Sequence, residues 1–156
     1  MIDYEDFTID ETKFPLDRMA NITSRYNYIP IIDAGIKVND GIAYNQGKAR
    51  GVFMKDANGS ELRGRVWPGT TTFVDFFHPN ATTYWGDMLD LLYKKVQFSG
   101  VWLDMNEYAN FCDGPCETPE TPSTFDYSND LPYNPGSDSI EAHTIPLNST
   151  HYGNRK

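Results

Sequence analysis

Gly100-Val101-Trp102-Leu103-Asp104-Met105-Asn106-Glu107 sets the fold expected of this 156-residue chain. Val101, Trp102 and Leu103 favour extended backbone and Gly100 breaks the segment before them. The apolar run ends at Asp104, where Asn106, Asn110 and Asp113 take over. The pattern predicts a short strand with a carboxylate at its C-terminal end. In parallel α/β sheets and barrels the loops at that end carry the chemistry, so Asp104 stands where it can act on a bound molecule, with Glu107 three residues on.

Tyr28 to Asp33 has the same form: a nearly continuous apolar run with isoleucine at three positions, ending in an aspartate. Pro30 is the objection, because a proline inside a central strand leaves a ladder bond unmade. Between the two runs, Ala81, Tyr84, Trp85, Met88, Leu89 and Leu92 recur at helical spacing through Lys95, with Asn80 at the start and Lys94 and Lys95 in the last turn. Strand, helix, strand predicts a right-handed βαβ crossover whose two carboxylates, on Asp33 and Asp104, lie at the same end of neighbouring parallel strands.

Elsewhere, Phe14-Pro15-Leu16 predicts a short helix with Pro15 in its first turn and Leu16, Met19 and Ala20 on one side. Val38 to Pro79 is rich in Gly, Asn and aromatics, and predicts an elaborate loop with one hairpin. Its arms are Gly51 to Lys55 and Glu61 to Trp67, turning at Asp56-Ala57-Asn58-Gly59. His78 beside Pro79 reads as a loop residue rather than a catalytic base. After Glu107, Pro115, Pro119, Pro122, Pro132, Pro135 and Pro146 punctuate a polar tail.

The net charge of −9, with the cationic residues scattered, excludes a nucleic-acid partner. No apolar run approaches the roughly 20 residues needed to cross a bilayer, and no basic-then-apolar leader opens the sequence. Four Asn-x-Ser/Thr sequons, at Asn21, Asn58, Asn80 and Asn148, lean toward a secretory origin. Cys112 and Cys116 could close a small disulfide loop in an oxidising compartment or remain two reduced thiols. Asp104-x-Asn106-x-Tyr108 and Asp56-x-Asn58-Gly59 break the calcium-loop rule, and Cys112 and Cys116 have only the distant His143 and His151 as further zinc ligands, so no metal is expected.

Gly, an apolar residue, Trp, any residue, then Asp-Met-Asn-Glu resembles the nucleophile signature of glycoside hydrolase family 31, the α-glucosidases and their relatives. The resemblance continues through Tyr28-Ile29-Pro30-Ile31-Ile32-Asp33-Ala34-Gly35, Arg65-Val66-Trp67-Pro68-Gly69 and Asn110-Phe111-Cys112. It implies an α/β chain, part of a (β/α)8 TIM barrel holding about its third and fourth strands in residues 1–110. A Pro-rich loop insertion follows in 111–156. A whole barrel takes about 250 residues.

The implied activity is that of a retaining α-glucosidase releasing terminal glucose from oligosaccharides, with no cofactor. Asp104 resembles the nucleophile and Glu107 the neighbouring acid that supports it. Ile31, Asp33, Trp67, Trp102 and Met105 resemble residues lining the glucose pocket, Trp67 as a wall against the sugar ring. The family's proton donor is an Asp on a later strand, which would fall beyond Lys156, and Met1 fits the Met of an Asp-x-Asp-Tyr-Met motif whose Asp is then absent. The isolated chain is accordingly expected to be inactive and poorly stable, its parent a protein of the secretory pathway, lysosomal, vacuolar or extracellular. Tyr108-Ala109 departs from the Pro-Ser or Val-Ser common in relatives. The alternative is a non-catalytic truncated product with at most weak carbohydrate binding.

Overall fold

A computed structural model describes residues 1–111; Cys112, Cys116, Asn148 and all but the first residue of the loop insertion expected over 111–156 lie outside the described residues. The elements run α1 (Leu16–Thr23), β1 (Ile31–Asp33), β2 (Gly35–Lys37), α2 (Ile42–Arg50), β3 (Gly64–Val66), β4 (Gly69–Phe73), α3 (Ala81–Lys95) and β5 (Trp102–Asp104). Two sheets result: β1 pairs with β5 in parallel, and β2, β4 and β3 form an antiparallel sheet in that order. Among the described residues the strands do not close into a barrel.

The parallel pair is the expected one. Its register sets Ile31 against Trp102, Ile32 against Leu103 and Asp33 against Asp104. Pro30 falls just before β1, where its missing N–H costs no ladder bond, and its carbonyl accepts the Trp102 N–H at 2.8 Å. Both faces of β1 are covered: Ile32 and Asp33 are buried and Ile31 is half-buried. All three residues of β5 are exposed, and β1 is its one pairing partner among the described residues.

Helix α3 forms where the spacing predicts it. Ala81, Tyr84, Met88 and Leu92 are buried and join Ile32, Ile36, Phe53 and Val74 in the main core. Tyr84 donates its hydroxyl to the Ala43 carbonyl at 2.9 Å, which satisfies a phenol that is fully buried. Asn80 precedes the helix but does not cap it: its backbone is helical and its Nδ2 donates to the Arg50 carbonyl at 3.4 Å. In α1, Pro15 stands at the N-cap rather than the first turn, and only Met19 of the expected stripe is buried, against Ile9 and Val96.

The stretch from Val38 to Pro79 carries more order than its composition suggests. Helix α2 buries Ala43, Tyr44 and Gly47, a face of mostly small residues with no apolar stripe, and it ends at Gly51 in the left-handed region, φ +67°. The predicted hairpin is formed only near its turn, by the Lys55–Glu61 bridge and the Leu62 N–H donated to the Met54 carbonyl at 2.9 Å. Its second arm instead folds onto Gly69–Phe73. Val66 pairs with Gly69, leaving Trp67-Pro68 as a two-residue connection. The β-branched run Thr70-Thr71-Thr72 favours this pairing, and β4 is then central in its sheet.

Candidate active site

Side chains alternate along a strand, so Ile31 and Asp33 on β1 and Trp102 and Asp104 on β5 share one face of the parallel pair. Ile32, on the opposite face, is packed in the core against α3. In-register residues on neighbouring strands lie about 4.8 Å apart along the hydrogen-bonding direction, which brings Asp33 and Asp104 together at the C-terminal strand ends. Asp104 is exposed, and its Oδ1 accepts the N–H of Met105 at 2.9 Å.

Asp33 is 8 % exposed. Burial, and then the charges of Asp104 and Glu107, push its carboxyl up from 3.8 to about 6. Its Oδ1 is buried without a hydrogen-bond partner, and its backbone N–H donates to Asp6 Oδ1 at 3.2 Å. Asp6, 3 % exposed, is a member of this cluster that inspection of the sequence missed. Its pKa is raised well above the usual carboxylate range, by burial first and in part by Asp33. Nothing in its local sequence marks it, since its contact to Asp33 spans 27 residues.

Trp67 stands at the tip of the β3–β4 connection, 40 % exposed. Its Nε1 donates to Met105 Sδ at 3.1 Å, and its ring meets Phe111 edge-on, centroids 5.1 Å apart. The Tyr4 ring lies tilted to the Trp67 ring, centroids 6.1 Å apart. The aromatic wall and the residue after Asp104 are therefore in direct contact. Trp102 is 58 % exposed, opposite the half-buried Ile31. Glu107 is exposed and close enough to Asp33 to raise its carboxyl.

The remaining expected positions lie apart. Asn21 on α1, Asn58 in the turn after Lys55 and Asn80 before α3 are all exposed. His78 belongs to the turn that starts α3, where its Nδ1 accepts the Asn80 N–H at 3.2 Å. Two hollows, of about 220 and 520 Å3, open beside the N-terminal segment, and neither is lined by Asp104, Glu107 or Trp67. No helix among the described residues is long and apolar enough to cross a membrane.

A carboxylate with a second, proton-retaining carboxyl beside it and an aromatic face within reach can attack an electrophilic carbon of a bound sugar while the ring excludes water from one side. Comparisons with known proteins bear on this arrangement. The profile described as "Glycosyl hydrolases family 31 TIM-barrel domain" matches residues 1–152. A probable alpha/beta-glucosidase of Aspergillus fumigatus is 40% identical over 143 residues, 84% of this chain and 16% of that protein. An alpha-glucosidase of Mucor javanicus is 41% identical over 125 residues, 74% of this chain and 14% of that one. Among solved structures, the ER glucosidase II heterodimeric complex of catalytic subunit and regulatory-subunit binding domain superposes over 96% of this chain and 14% of its own, with TM-score 0.69 and 25% identity. The chain thus spans about a sixth of the length of the curated relatives it matches.

Proposed function

This chain belongs to glycoside hydrolase family 31, and from that premise we propose that it carries the nucleophile half of a retaining α-glucosidase site, with Asp104 as the nucleophile. One Oδ of Asp104 bonds to the anomeric carbon of a terminal glucose. The bond from that carbon to the leaving oxygen breaks, its electron pair staying on the oxygen, which takes a proton from a general acid. Water then attacks the anomeric carbon, giving its proton to the now deprotonated general acid, and the bond from that carbon to Asp104 breaks, returning the free carboxylate. The general acid is proposed to come from outside the described residues.

The observation that carries the proposal is the in-register placement of Asp33 and Asp104 at the C-terminal ends of two parallel strands, with Trp67 touching Met105. Ile31, Asp33, Trp67, Trp102 and Met105 would line the glucose pocket, and Glu107 would support the charge network around Asp104. Below pH 6 the Asp33 carboxyl keeps its proton and can donate a hydrogen bond; above it, Asp33 sets a second negative charge beside the nucleophile. The substrate class proposed is a maltose-like oligosaccharide, and the compartment the secretory pathway, in keeping with the exposed sequons at Asn21, Asn58 and Asn80. Residues 111–156 are proposed to be a loop insertion within the same domain.

An activated fluoroglucoside tests the nucleophile directly, because fluoride leaves without protonation and the covalent ester can form without the general acid. Peptide mapping is expected to find one label, on Asp104, and none in Asp104→Asn. A label on any other side chain refutes the assignment.

A further inference from the structure

The loop that follows β5 is fastened back onto the hairpin that carries Trp67. Arg65, on β3, gives both backbone groups to it: its N–H donates to Asn110 Oδ1 at 2.9 Å, and its carbonyl accepts the Phe111 N–H at 2.8 Å. Asn110 is 2 % exposed, so this pairing is shielded from competition by water. Gly64 leaves the room for it. A Cβ there would stand 2.9 Å from Asn110 Oδ1 and 2.5 Å from Phe73 Cε2.

Two further contacts pull the same way. Tyr108 donates its hydroxyl to the Val74 carbonyl at 2.7 Å and lies edge-on to Phe73, centroids 5.9 Å apart. Met105, Tyr108 and Phe111 pack on the cluster of Met54, Leu62, Val66 and Phe73. Met105 and Tyr108 both hold left-handed backbone, at φ +55° and +64°. A Cβ crowds the backbone carbonyl in that conformation, which makes it costly, and it persists only where surrounding contacts over-determine it.

We propose that Asn110 is a positioning residue: by clamping the loop to Arg65 it fixes the reacting carboxylate of Asp104 at a set distance from the Trp67 ring, so that both address one sugar. The clamp touches no substrate. It acts because Trp67 joins two strands of one sheet while Asp104 ends a strand of the other, and Asn110 is one of the ties between them, with Met105, Tyr108 and Phe111. The proposal rests on Asp104 being the nucleophile, and the experiment separates the two.

In the full chain, Asn110→Ala is expected to lower the rate of Asp104 labelling at saturating fluoroglucoside by roughly 10- to 100-fold, the loss that goes with about 1 Å of misplacement, with less effect on the half-saturating concentration. The Arg65 amide should exchange faster with solvent. The Trp102 amide, bonded to the Pro30 carbonyl, should keep its protection. Asn110→Asp, which retains an acceptor for the Arg65 N–H, should restore both Arg65 protection and labelling to within a few fold.

Unchanged Arg65 exchange in Asn110→Ala overturns the clamp, as does native-rate labelling once Arg65 is released. Loss of Trp102 protection in both variants makes Asn110 a folding residue and also overturns it. If the native chain takes no label on Asp104, the nucleophile assignment fails, and the exchange comparison alone decides the clamp.

Discussion

Replacing Asp33 by Asn should make the chain more stable at neutral pH and leave the comparison nearly flat in acid. In the unfolded chain Asp33 loses its proton near the ordinary 3.8, whereas the folded environment holds it to about 6. Between those values the native state binds more protons than the unfolded one, so its stability falls as pH rises through that window. At about 1.4 kcal/mol for each pH unit between the two values, the fall amounts to about 3 kcal/mol above pH 6. Asparagine has no proton to lose. The stability difference, Asp33→Asn variant minus native chain, should therefore climb by about 3 kcal/mol between about pH 3.5 and 7.

The assay is urea unfolding followed by tryptophan fluorescence at half-unit pH steps. Because the Asp33 charge helps to hold the proton on Asp6, removing the Asp33 carboxyl should also bring the Asp6 pKa down. Burial is the largest cause of the Asp33 rise and the Asp104 charge the second. In an Asp104→Asn background the climb should therefore be smaller but not absent. A stability difference independent of pH, or one that shrinks as pH rises, would refute the assignment of a buried, proton-retaining Asp33.

Other outcomes follow from single contacts. Gly64→Ala should cost about 1–3 kcal/mol by overpacking against Phe73, read as a lower urea midpoint with unchanged slope. Tyr84→Phe removes the hydroxyl's hydrogen bond to the Ala43 carbonyl and should destabilise by about 1 kcal/mol in the same assay. Tyr108→Phe removes the donor to the half-buried Val74 contact. It should cost about 1 kcal/mol while speeding exchange of the Phe111 amide.

What was legible in the sequence is what depends on neighbours a few residues away. The runs ending at Asp33 and Asp104 show as strands because both are apolar up to a single terminal carboxylate, and α3 shows through Ala81, Tyr84, Met88 and Leu92. Helix α2 was missed because its buried face of Ala43, Tyr44 and Gly47 gives no apolar stripe. Gly51, after Lys48 and Arg50, was the stop signal that could have found it. The arm after Glu61 was paired with the wrong partner, since the competing run Thr70-Thr71-Thr72 lies in a segment that composition marks as loop. Asp6 was beyond reach for another reason: its contact lies 27 residues away and nothing in its vicinity marks it. Asn110 shows in the Asn110-Phe111-Cys112 match, but its contact with Arg65, 45 residues away, does not.

The two-residue connection Trp67-Pro68 has an implication for engineering. With Val66 and Gly69 paired across it, the count of residues at the tip dictates which way every side chain of β4 points. A one-residue slip of β4 would turn Phe73 into the equally buried face that Thr72 now fills and set Thr72 in the place of Phe73. A designer can thus swap the ring offered at position 67 for another, whereas lengthening its mount puts the pairing of β3 with β4 at stake, β4 staying anchored on β2.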